Sequence, residues 1–124
     1  MTDMTTGEGW AFLTGLLDQH SAPGEQPTPH PEHHTDRRIP EVKMAGVVDG
    51  ARVLRLSFRA GDVMADHSAS MPILIAGQAG EIEVKVGEDS FTLTPGTMLS
   101  VAANKVHSLS AEAHAVATLI VLTG

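Results

Sequence analysis

Two histidines set the chemical question. His67 stands in "GDVMADHSAS", just ahead of the apolar run "MPILIAGQAGEIEV", and His107 stands well downstream in "NKVHSLS". An imidazole at a strand end can ligate a divalent metal, polarise a small ligand, or serve only as a satisfied polar side chain. Competing chemistries lack their residues. There is no cysteine, which excludes disulfides, thiolate nucleophiles and Cys-ligated zinc. There is no tyrosine to act as a phenolic acid, and the rings are limited to Trp10, Phe12, Phe58 and Phe91, which disfavours stacking on sugars or bases. No G-x-S-x-G elbow, phosphate-cradling glycine loop or H-E-x-x-H motif occurs, and "GQAGE" reads as a turn before a strand.

The elements that must position these histidines follow from length and pattern. A chain of 124 residues builds one modest core, and 42% hydrophobic residues are enough to fill it. A net charge of -7 with eight Lys+Arg gives no basic face for phosphates, so neither nucleic acid nor an anionic membrane is an expected partner. "MTDMTTGEGW" lacks the basic and apolar regions of a signal peptide, and no apolar run approaches a membrane span, so the expected compartment is the cytoplasm.

Residues 7–20, "GEGWAFLTGLLDQH", place Trp10, Leu13 and Leu17 on one stripe at helical spacing, which predicts a short helix capped by Thr6. Residues 21–38 are rich in proline and carry His30, His33 and His34, which reads as a solvated linker with some capacity to meet a metal. This divides the chain into an N-terminal helix and linker, 1–38, and a β-domain, 39–124. From Ile39 onward short strands alternate with turns. "RVLRLSF" sets Leu54, Leu56 and Phe58 on one face, with Arg55 and Ser57 opposite. "EIEVKV" sets Ile82, Val84 and Val86 against Glu81, Glu83 and Lys85, and "VGEDSF" turns a hairpin towards Phe91 and Leu93. About eight such strands without intervening helices predict an all-β sandwich or barrel. "PILIA" and "TLIVL" are apolar on both faces, which points to a homodimer burying one sheet against its copy.

The spacing of glycine and histidine resembles the cupin family. Its first motif runs glycine, five residues, His, one residue, His, three or four residues, Glu, six residues, glycine. Here Gly61, His67 and Gly80 match, while Ala69 and Ile73 take the second His and the Glu positions. The second motif runs glycine, five residues, proline, one residue, glycine, two residues, His, three residues, Asn. Gly96 and His107 match, with Ala102, Asn104 and Ala111 at the other places. Asn tolerates a positive φ better than other non-glycine residues, so Asn104 can still make the turn. The resemblance covers about residues 39–123 and implies a double-stranded β-helix, or jelly-roll barrel. In metal-holding cupins two His and a Glu come from the first motif and one His from the second, and here only His67 and His107 remain.

No acid fills the gap by parity. Asp66 and Ser68 flank His67 and point away on a regular strand, Glu81 and Glu83 face outward, and Glu112 lies in a turn. The inward set reads His67, Ala69, Met71, Ile73 and Ile75, an apolar cavity carrying one sulfur, in which Met71 and two imidazoles suit a soft ion such as Cu(I). His114 has no visible partner and reads as structural or exposed.

Three functions remain open. A binding cupin would hold a small ligand, or a weakly held divalent metal (Zn, Ni, Mn, Fe or Cu), with His67, His107, Met71 and Ala69 as its contacts and His67 and His107 as metal ligands. A metal-dependent enzyme of the dioxygenase or isomerase type would use the same two histidines. A structural module would keep only the oligomer.

Overall fold

The computed structural model describes residues 3–18 and 39–124. The linker reading of residues 21–38, with His30, His33 and His34, lies outside the described residues. Eleven strands are described and no helix among them: β1 (Asp3–Gly7), β2 (Trp10–Thr14), β3 (Glu41–Val48), β4 (Ala51–Phe58), β5 (Val63–His67), β6 (Ile73–Ala79), β7 (Ile82–Val86), β8 (Asp89–Leu93), β9 (Met98–Val101), β10 (His107–Ser110) and β11 (Ala115–Leu122). A five-stranded sheet in the order β3-β4-β11-β6-β9 faces a four-stranded sheet in the order β5-β10-β7-β8, with every pairing antiparallel. This is the all-β jelly-roll architecture that the strand pattern predicts.

The core lies between the sheets. Leu56, Phe58, Ile73 and Ile75 enter from the larger sheet, and Ile82, Val84, Leu93 and Leu109 from the smaller one, all essentially buried. Small residues make room for large ones along the ladder: Ala115 pairs with Phe58 and Ala117 with Leu56. Each fully buried large side chain contributes roughly 1.5–3 kcal/mol of transfer free energy. The opposite face of β4 is covered too. Arg55 is buried there, where it pairs with Glu41 and with Asp18 at 3.5 Å.

The N-terminal helix expected over residues 7–20 is not seen. Residues 3–14 form the β1–β2 hairpin, turned at Glu8 and Gly9, with Gly9 at φ +81°. The apolar spacing of Trp10, Leu13 and Leu17 fits a helix, but two-fold alternation serves the local packing better. Met4 pairs with Leu13 across the hairpin, and both side chains reach Gly46 on β3, where there is no Cβ to hold them off. Trp10 and Phe12 occupy the other face and stay exposed.

Candidate functional site

His67 and His107 are brought together by strand register. His107 opens β10 and lies directly opposite His67, the last residue of β5. Further along the pair, Leu109 faces Met64, so two residues of β5, Ala65 and Asp66, stand against one of β10, Ser108. That one-residue bulge changes the facing of β5. It lets Met64 pack on the core while His67 stays level with His107, whose side of β10 also carries the buried Leu109.

The two rings meet edge to face, with centroids 4.3 Å apart and planes at 62°. His107 is buried and His67 is exposed, so the pair runs from the interior out to solvent. Each Nδ1 is tied to a backbone carbonyl two residues upstream: His67 to Ala65 O at 2.8 Å and His107 to Lys105 O at 2.9 Å. A carbonyl only accepts, so each Nδ1 carries the hydrogen and donates it. In the neutral rings this leaves both Nε2 atoms with a lone pair. A backbone carbonyl behind Nδ1 is also the usual outer support of a metal-bound imidazole.

The mouth of the barrel around the pair is held by backbone bonds between loops. Asn104 sits at φ +64°, as its place in the second motif anticipates, and donates its N–H to Ala69 O at 2.7 Å. Leu122 N–H reaches Pro72 O at 3.0 Å, joining the end of β11 to the entry of β6. At the opposite end of β7 from His107, Gly80 takes φ +67° beside the His114 carbonyl oxygen, where a Cβ has no room.

Ala69 and Met71 fall in a cleft at this same end rather than in the imidazole pair. The cleft measures about 330 Å³ and is lined by Met44, Arg52, Leu54, Ala69, Ser70, Met71 and Val121. Ala69 also packs against the core, whereas Met71 is exposed. Glu81, Glu83, Glu112 and His114 line a separate cleft of about 550 Å³. Among the described residues no group of three His, Cys, Asp or Glu side chains gathers into a metal site. The donors that could meet an ion at this place are the two imidazoles, a pair that would suit a borderline or soft ion better than a hard one.

Sequence reasoning did not name Arg52, Met44, Leu54 or Val121 as cleft residues. The signal for Arg52 was present: it shares strand parity with Leu54, Leu56 and Phe58, an unexpected place for a charge. The β5 bulge left no such signal.

No family model matches the chain, and no curated protein does. Solved structures do. A cupin superfamily protein from Desulfitobacterium hafniense DCB-2 is 19% identical with a TM-score of 0.64, over 86% of this chain and 98% of that one. A cupin domain from Bordetella pertussis Tohama I is 18% identical with a TM-score of 0.60, over 72% and 98%. An RmlC-like cupin from Shewanella frigidimarina NCIMB 400 is 16% identical with a TM-score of 0.61, over 68% and 85%. The fold is thus that of a small cupin. Among the described residues no helix is long and apolar enough to cross a membrane.

Proposed function

We propose that this chain is a ligand-binding cupin that takes a small molecule at the barrel mouth, with the imidazoles of His67 and His107 as its polar contacts and the cleft beside Ala69 and Met71 as its apolar seat. The observation that carries this reading is the pair of carbonyl-tied Nδ1 atoms, at 2.8 and 2.9 Å, which leaves two Nε2 acceptors on adjacent rings. A polar end next to an apolar cleft is the usual composition of a small-molecule site.

The same tautomers support a second reading, a weakly held divalent ion on the two Nε2 atoms. Such an ion would act as a Lewis acid towards a bound oxygen ligand. Two nitrogen donors favour Zn, Ni or Cu over Mn or Fe. Calorimetric titration of the purified chain with Zn²⁺ tests this. One ion per chain, lost in the H67A/H107A double variant, is the expected result. Equal binding by the variant would overturn it.

We also read the chain as a homodimer. β3 is eight residues long and lies at the edge of its sheet, with Val42, Met44 and Val47 exposed, and an edge of that length invites pairing with a second copy. Sedimentation should return twice the chain mass, and a proline substitution at Val42 should lower it. A monomer at all concentrations would contradict the reading.

A further inference from the structure

We propose that the ligand of the cleft is an anionic amphiphile, a medium-chain aliphatic carboxylate, and that Arg52 is the residue that recognises its carboxylate. This rests on the cleft of the ligand-binding reading above and goes beyond it: the carboxylate goes to Arg52, because the two Nε2 atoms accept hydrogen bonds and a carboxylate donates none.

The first observation is the state of the three described arginines. Arg55 is paired with Glu41 and Asp18, and Arg59 with Asp62. The guanidinium of Arg52 has no hydrogen bond or ion pair among the described residues, although the chain carries fifteen acids against eight bases. Its position explains why no carboxylate among the described residues reaches it. Its cross-strand neighbours are Val47 on β3 and Val121 on β11, both apolar. An acidic protein with an unpaired cation between two valines has left that charge for something outside itself.

The second observation is the setting. Arg52 lines the cleft with Met44, Leu54, Met71 and Val121, and among the described residues Ser70 supplies the one other polar side chain there. An apolar wall ending in one guanidinium matches a molecule with an aliphatic body and one terminal anion. The planar fork of arginine suits a carboxylate, to which it donates two parallel hydrogen bonds. Two methionines give the wall flexible, polarisable surface, which accepts chains of differing shape.

The third observation is size. A volume of about 330 Å³ equals that of roughly eleven water molecules at about 30 Å³ each. A ligand of about ten non-hydrogen atoms fills it, which is the size of octanoate.

Calorimetry with octanoate, 1-octanol and octylamine tests the assignment on the full chain, with the Arg52→Gln variant beside the wild type. Arg52 is exposed, so the variant should keep the wild-type melting point. The expected result is that octanoate binds the wild type more tightly than either neutral or cationic analogue. R52Q should then weaken octanoate about tenfold to a hundredfold, the range for a charge-assisted hydrogen-bonding pair, and leave 1-octanol unchanged. Methyl resonances of Met44 and Met71 should move on adding octanoate. The assignment is overturned if octanoate does not bind, binds no better than octanol, or binds R52Q as well as the wild type. Failure of the parent reading shows separately, as equal binding of 1-octanol, whose hydroxyl can donate to an Nε2 atom, by wild type and H67A/H107A. The R52Q comparison still decides the role of Arg52 in that case.

Discussion

Replacing Asp62 should cost this domain a large part of its stability. Asp62 is fully buried, and Arg59 beside it is nearly so. One carboxylate accepts three hydrogen bonds: from the Arg59 backbone N–H at 2.7 Å, from Nε at 3.2 Å and from Nη2 at 3.3 Å. Asp62→Ala removes all three and leaves the guanidinium buried, with the Ile39 carbonyl at 3.4 Å as a remaining acceptor. Breaking a buried ion pair from one side costs roughly 3–5 kcal/mol, because the remaining charge keeps its desolvation penalty. Domain stabilities run from about 5 to 15 kcal/mol, so the loss is about a fifth of the total or more. With a urea slope of about 2 kcal/mol per molar, the unfolding midpoint should fall by about 2 M. The R59M/D62A double variant should regain part of that, since it no longer buries a cation deprived of its carboxylate. The consequence reaches the site. Asp62 O accepts the Ala111 N–H at 3.1 Å, and Ala111 O accepts the Gly61 N–H at 2.8 Å, so this clasp anchors the start of β5 against the end of β10. The opposite ends of those two strands carry His67 and His107. Amide exchange along β5 should therefore accelerate in D62A. A D62A midpoint within 0.5 M of wild type, about 1 kcal/mol at that slope, would show that the buried pair does not hold the domain together.

Two turn positions give sharper local tests. Gly80→Ala should cost about 2–4 kcal/mol in a denaturant titration, combining left-handed backbone strain with a Cβ against the His114 carbonyl. Asn104→Gly should be tolerated within about 1 kcal/mol, while Asn104→Val, β-branched at φ +64°, should cost about 2 kcal/mol in the same assay.

The barrel was legible in the sequence because its strands alternate. "RVLRLSF" and "EIEVKV" carry a two-residue period and "VGEDSF" carries turn residues, and all three form the strands and hairpin they predict. The motif glycines Gly61, Gly80 and Gly96 all take positive φ, which is the physical content of their spacing. The N-terminus misled because Trp10, Leu13 and Leu17 satisfy a helical stripe by coincidence. Gly7, Gly9, Gly15 and the threonines around them weaken a helix, and packing of Met4 and Leu13 on Gly46 decided in favour of strands. The facing of His67 depends on a bulge that no residue type marks. The burial of Arg55 on the outer face of β4 depends on Asp18 and Glu41, remote contacts that no local period encodes.

The two imidazoles share a tautomer, and the proposed function requires that they act together. Long-range proton–nitrogen correlation of the histidine rings at neutral pH measures this directly. The predicted spectrum shows His67 and His107 both as Nδ1–H tautomers, with their Nε2 resonances moving in step as Zn²⁺ or a small ligand is added. Nε2–H tautomers, or a response from one ring while the other stays still, would contradict it.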